Sequence, residues 1–177
     1  MSKVAFLVYE PLRQRRKDNS FDGNDNIGAK VIEDVLVRAG VTVEYCTPLT
    51  AKDYPLVLVS MTSTNDLYAF YRAVALIPSW QPGKRTFRVL AGGFGMHNPT
   101  PIRKYVDYAA FGRAEDWVFG VVDTILGGGI PQHESLMNLP DLHPVKIAQA
   151  SKLYPHQVGW WQETFTGCPL KCKFCHY

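Results

Sequence analysis

The sequence lacks the features that place a chain in a membrane or in an oxidising compartment. No apolar run approaches the roughly 20 residues that a membrane-spanning helix requires. The short apolar stretch near the N-terminus ends at Glu10 and Pro11, without a small-residue cleavage site. We therefore expect a cytoplasmic protein whose thiols stay reduced. Clustered cysteines in such a chain indicate metal or redox chemistry rather than disulfides.

The net charge of the chain is also small. The 19 lysines and arginines nearly balance the 16 aspartates and glutamates, and the pI is about 8.6. The resulting net charge of +3 is too small to indicate a nucleic-acid partner. The basic run from Arg13 to Lys17 contains no interleaved aromatic residue, so we interpret it as a solvated loop. Hydrophobic residues make up 46% of the chain, which is typical of a globular protein.

Short apolar runs alternate with amphipathic stretches over the first 128 residues. The pattern predicts strands over 4–9, 41–46, 56–60, 87–91 and 108–111. It predicts helices over 27–39, 67–77 and 115–126, and a short one over 101–106. Alternation of this kind predicts an α/β fold, Rossmann- or flavodoxin-like, in which a parallel five-stranded sheet has helices on both faces.

The character of the sequence changes after residue 128. Segment 129–156 contains several prolines and little periodicity, so we interpret it as a linker or as an extended segment lying on the domain. Residues 157–177 include one further predicted strand, Val158 to Phe165, which leads into a cysteine-rich loop. The predicted organisation is an α/β domain over 1–128, a linker over 129–156, and the beginning of another domain over 157–177.

Three cysteines in the stretch TGCPLKCKFCHY follow the spacing C-x3-C-x2-C: Cys168, Cys172 and Cys175. Thiolates suit zinc and iron–sulfur clusters, and three of them can hold three irons of a [4Fe-4S] cubane while the fourth iron stays open. Zinc with His176 as fourth ligand is less favoured, because adjacent ligands point in different directions on an extended chain. Reduced cysteines without metal are the third interpretation. The fourth cysteine, Cys46, ends a predicted strand and is interpreted as a small buried hydrophobe.

The segment CPLKCKFC resembles the signature of the radical S-adenosylmethionine (SAM) superfamily, with Phe174 before the third cysteine. The preceding WWQETFTGC resembles the first barrel strand of those enzymes. The resemblance implies that Cys168, Cys172 and Cys175 bind a [4Fe-4S] cluster, that its open iron binds SAM, and that Phe174 lies near the adenine. It also implies reductive cleavage of SAM to a 5′-deoxyadenosyl radical, followed by methyl transfer or a rearrangement of an unknown substrate.

The upstream domain is similar to the cobalamin-binding-like domain that precedes the barrel in one class of these enzymes. The shared segments are NIGAKVIEDVLVRAG, VLVSMTSTND, VLAGG and FGRAEDWV. Ligands of open α/β sheets bind beyond the carboxyl ends of the strands. The residues that the resemblance assigns to the cofactor are therefore Ser60, Thr62, Ser63, Gly92 and Gly93. The D-x-H-x-x-G motif of the class is absent and segment 10–28 has no histidine, so cobalamin is neither supported nor excluded.

A radical SAM barrel needs roughly 200 further residues, and none follow Tyr177 in this sequence. We therefore expect the barrel in the rest of a longer chain or in a separate polypeptide, served by an electron donor, and we expect the chain alone to be inactive. The alternative hypothesis is a non-catalytic α/β module that binds a ligand or a partner and whose cysteine loop is idle or binds zinc. Neither a membrane nor a nucleic-acid partner is indicated.

Overall fold

The computed structural model describes residues 3–9, 27–97 and 99–139. The strands are β1 Lys3–Leu7, β2 Thr42–Cys46, β3 Leu56–Ser60, β4 Arg88–Gly92, β5 Tyr108–Ala110 and β6 Leu136–Asn138. The helices are α1 Ile27–Arg38, α2 Thr64–Val74 and α3 Val118–Leu126. Short 3₁₀ turns occupy Ala51–Asp53, Pro78–Trp80, Phe94–His97 and Thr100–Ile102. None of the helices described is long and apolar enough to cross a membrane.

All six strands form one sheet in the order β2-β1-β3-β4-β5-β6. The first five strands pair in parallel, and their order is that of flavodoxin-like folds. The predicted parallel five-stranded α/β sheet is thereby confirmed. The sixth strand is an addition that the sequence did not predict: it pairs antiparallel with β5 and lies inside the segment interpreted as a linker.

Helices cover both faces of the sheet, as predicted. On one face α2 packs through Phe70 and Val74 against strand residues such as Val57 and Val59. On the other face α1 and α3 pack against the alternate strand residues, among them Leu58. Because both faces are buried there, the central strands β1, β3 and β4 consist mostly of continuous apolar runs rather than alternating patterns. The carboxyl ends of the strands therefore lie between the two helix layers.

The amino ends of β4 and β5 are joined by a buried carboxylate. Among the described residues Asp107 is the one charged side chain that is buried, with 4% of its surface exposed. Its Oδ1 accepts hydrogen bonds from Arg85 (2.7 Å) and Arg88 (3.3 Å), and its Oδ2 accepts the Val89 N–H (2.7 Å). Arg85 also donates to the carbonyl of Tyr105 at 2.6 Å. The network fixes β5 to β4 at the edge opposite the carboxyl ends.

Candidate functional site

A cavity of about 190 Å³ opens at the carboxyl ends of the parallel strands. It lies where β1 and β3 are neighbours, and the chain leaves these two strands toward opposite faces of the sheet. Ligands of open α/β sheets bind at such a switch point. The cavity therefore lies where ligands of open α/β sheets bind.

The lining of the cavity is apolar inside and polar at few points. Apolar side chains come from three strands and two helices, namely Phe6, Leu58, Leu90, Ile32 and Val118. Polar side chains come from Ser60, Arg113 and Glu115, and Arg113 Nε lies 3.9 Å from Glu115 Oε1. An apolar cavity with a few polar groups is typical of a small-molecule site.

Small residues form much of the wall between the two helices. Gly28 and Ala29 belong to the first turn of α1, and Gly112 and Ala114 precede α3. A Cβ atom built on Gly28 or on Gly112 would meet nothing within 4 Å. At these two glycines the absence of a side chain leaves open space, and no neighbouring residue packs closely against the backbone.

Three of the five residues predicted to bind a cofactor line this cavity: Ser60, Gly92 and Gly93. The other two, Thr62 and Ser63, are not in the lining and lie at the start of α2. One carboxylate oxygen of Asp66 accepts the Thr62 N–H (2.6 Å), the Thr62 hydroxyl (2.8 Å) and the Ser63 N–H (2.9 Å). This is part of a capping box, so both residues have a structural role. Their assignment to a cofactor stays a prediction.

The glycines after β4 also have a packing role that the sequence analysis did not identify. Gly93 has a φ of +108°, and a Cβ there would lie 2.5 Å from the carbonyl oxygen of Met61. A Cβ on Gly95 would lie 2.2 Å from the carbonyl oxygen of Ser63, and the Gly95 N–H donates to Met61 at 2.8 Å. The close neighbour of Gly93 is thus the backbone that follows β3. The sequence GGFG was the available signal for Gly95.

Cys46 is confirmed as a buried hydrophobe. Only 3% of its surface is exposed, and burial, with a smaller effect of the Asp53 charge, raises the pKa of its thiol to about 12. Both observations are typical of a cysteine that packs in the core as a small hydrophobe. Within 3–9, 27–97 and 99–139 no group of three His, Cys, Asp or Glu side chains is arranged to hold a metal ion.

The raised pKa of the Cys46 thiol predicts slow alkylation in the folded chain. At about pH 8, near the ordinary cysteine pKa, we expect iodoacetamide to modify Cys46 roughly 1,000-fold more slowly than the same residue in denaturant, because the thiolate is the nucleophile. Mass spectrometry of the tryptic peptides measures both rates. Comparable rates in the folded and unfolded chains would show that the thiol is accessible.

The predicted cluster ligands Cys168, Cys172 and Cys175 lie outside the described residues, as do Phe174 and His176. Their assignment remains a prediction from the sequence. The described part therefore contributes a cavity at the carboxyl edge of the sheet, and the predicted metal site belongs to the segment beyond it.

Comparison with known proteins gives a structural similarity only. No protein-family model and no curated protein matches the sequence. Two solved structures of the radical S-adenosylmethionine methyltransferase TsrM from Kitasatospora setae are similar over 78% of this chain. The one with tryptophan substrate and the SAM analogue aza-SAM bound has 14% identity and a TM-score of 0.46. The one with cobalamin and a [4Fe-4S] cluster bound has 15% identity and a TM-score of 0.47. This chain spans 28% and 29% of those chains.

Proposed function

We propose that the chain is the N-terminal part of a radical SAM enzyme, in which an α/β domain binds a cofactor and Cys168, Cys172 and Cys175 bind a [4Fe-4S] cluster. The observation that carries this proposal is the C-x3-C-x2-C spacing with Phe174 before the third cysteine. Thiolate ligands and an open iron are the requirements for such a cluster to bind a further molecule directly. The α/β domain with its cavity at the carboxyl edge supports the second half of the proposal.

The roles of the loop residues follow from the resemblance to the radical SAM signature. Cys168, Cys172 and Cys175 would hold the cluster through their thiolates, and Phe174 would contribute to the binding of SAM. A [4Fe-4S] cluster held there would supply the electron for reductive cleavage of SAM. Methyl transfer or a carbon-skeleton rearrangement of the substrate would follow. The barrel and an electron donor are the partners that this function requires.

The size of the cavity indicates which part of a cofactor it takes. At about 190 Å³ it is smaller than the 300–1,000 Å³ of pockets for drug-sized ligands. It therefore accepts one flat, apolar end of a ligand, and the remainder lies beyond the strands, near Ser60, Gly92 and Gly93. Cobalamin has this shape, because a nucleotide base hangs from its large corrin ring. The described lining contains no histidine, so it offers no imidazole ligand to the cobalt.

Anaerobic reconstitution of the full chain with iron and sulfide tests the cluster. We expect about four irons per chain and an EPR signal of the reduced protein that changes on addition of SAM. Replacing Cys168, Cys172 or Cys175 by alanine should abolish the signal. The matched control Cys46→Ala should retain it, because that thiol is buried in the core.

Two results would count against the cluster. Stoichiometric zinc in the chain as purified, with no iron bound after reconstitution, would favour the non-catalytic module. Equal iron content in the wild type and in all three loop variants would show that the iron is bound elsewhere.

A further inference from the structure

The outer face of α2 exposes large apolar side chains. Tyr68 is 65% exposed and Tyr71 is 44% exposed, and Leu76, just after the helix, is 92% exposed. The opposite face of the same helix is buried through residues such as Phe70 and Val74. An amphipathic helix that covers a sheet ordinarily turns polar residues outward, so this outer face is unusual.

Ring contacts involve two of these side chains. The Arg72 guanidinium lies over the Tyr68 ring at 5.7 Å, and the Tyr71 ring meets the Tyr105 ring edge-on at 5.9 Å. We define the α2 patch as Tyr68, Tyr71, Arg72 and Leu76. Its aromatic and arginine composition is typical of interface centres rather than of solvated surface.

The α2 patch extends from one edge of the sheet toward the other. The helix begins just after the carboxyl end of β3 and returns the chain to the amino end of β4. Tyr68 is therefore close to the carboxyl edge, and Leu76 lies close to the amino edge. The eleven residues of α2 span roughly 16 Å between the carboxyl edge and the amino edge of the sheet.

The described chain ends on the same face of the sheet as α2. Strand β6 is antiparallel to β5 and therefore runs toward the amino edge. The Leu139 N–H then donates to the Asp107 carbonyl at 2.8 Å, two residues from Tyr105. The Leu139 side chain packs in the same core cluster as Phe70 and Val74 of α2. Leu139, the last described residue, thus lies at the amino edge, on the α2 side of the sheet.

We propose that residues 140–157 dock on the α2 patch, in the direction from Leu76 to Tyr68. Prolines at 140, 144 and 155 favour extended backbone at about 3.1 Å per residue, which is ample for the length of the helix. The segment offers apolar side chains for the contact, namely Leu142, Val145, Ile147, Leu153 and Tyr154. Because it is tethered on the same face of the sheet as the patch, its effective concentration there is in the millimolar range, which favours it over a second copy.

The docking does not depend on the proposed function. It would, however, have a consequence for that function. A segment that returns along α2 delivers residues 158–177 to the carboxyl edge of the sheet. The cysteine loop would then begin at the same edge as the cavity.

Hydrogen exchange of the full chain, followed by mass spectrometry, tests the docking. We expect amides of 140–157 to exchange about tenfold or more slowly than in an unstructured chain. The double variant Tyr68→Lys/Leu76→Lys should remove that protection while β3 and β4 keep theirs, which shows that the fold is intact. The control Val37→Lys/Leu49→Lys alters two side chains that are 53% and 67% exposed outside the patch, and it should change nothing in 140–157.

Three outcomes would overturn the proposal. The first is exchange of 140–157 at unstructured rates in the wild type. The second is protection that survives in Tyr68→Lys/Leu76→Lys. The third is protection of α2 that rises with protein concentration together with a dimer in analytical ultracentrifugation, which would assign the α2 patch to a second copy. Each outcome is independent of whether the cysteine loop binds a cluster.

Discussion

Replacing Asp107 by alanine is expected to lower the free energy of unfolding by about 3–5 kcal/mol. The carboxylate is 4% exposed and accepts hydrogen bonds from Arg85, Arg88 and the backbone of Val89. Its removal leaves the Arg85 guanidinium, whose side chain is 14% exposed, without its anionic partner. The Val89 N–H, buried in the sheet, also loses its acceptor. A buried charge and a buried donor left without partners are among the costliest single changes in a protein.

Urea denaturation followed by circular dichroism measures this effect. Asp34→Ala is the matched control, because Asp34 forms an exposed pair with Arg38 at 2.8 Å within α1, and such pairs contribute under about 1 kcal/mol. Asp107→Asn should fall between the two, since its amide oxygen can still accept the Val89 N–H. A loss for Asp107→Ala as small as that of Asp34→Ala would show that the carboxylate does not hold β5 to β4.

The sequence predicted which strands and helices form the layers of the fold better than it predicted where each of them begins and ends. The apolar run of β3 gave the observed bounds, Leu56–Ser60, because both of its faces are buried. Helix α2 begins at Thr64 rather than at 67, since the Asp66 carboxylate caps its first turn. Strand β6 has three residues and owes its conformation to pairing with β5. So short a strand has no periodicity to detect, and its pairing depends on tertiary contacts.

The site was predictable on one side only. Ser60 and Gly92 end apolar strands and Gly93 follows one. Their place at the carboxyl edge could therefore be inferred from local pattern, and they line the cavity. The opposite wall is lined by Gly28 and Arg113, two residues far apart in the chain. No local pattern predicts that pairing, because it arises when α1 and α3 pack side by side on one face of the sheet.

Replacing Gly28 by leucine is expected to weaken the proposed cofactor binding without unfolding the domain. Gly28 is an exposed residue of the first turn of α1 and has open space where a Cβ would stand. Leucine is a better helix former than glycine by up to about 1 kcal/mol, so the fold should be as stable or slightly more stable. Its side chain would occupy part of a cavity of only about 190 Å³, and a flat ligand could no longer enter.

A titration of the full chain with hydroxocobalamin, monitored by absorbance, tests this expectation. We expect Gly28→Leu to weaken binding by about tenfold or more, which corresponds to about 1.4 kcal/mol. Gly120→Leu is the matched control: it adds the same side chain in α3, also into open space, and Gly120 does not line the cavity. Thermal unfolding of both variants should show an undiminished melting temperature.

The pair of variants separates the cavity from the rest of the proposal. Weakened binding in Gly28→Leu alone would indicate that the ligand enters between α1 and α3 at the switch point of the sheet. Equal binding in both variants would exclude the cavity as the subsite, because leucine leaves too little space for a base. No binding in the wild type would refute cobalamin as the cofactor, and the iron content of the cysteine loop would still decide the cluster independently. The cavity and the loop are thus tested by different side chains, although the proposed enzyme needs both at one edge of the sheet.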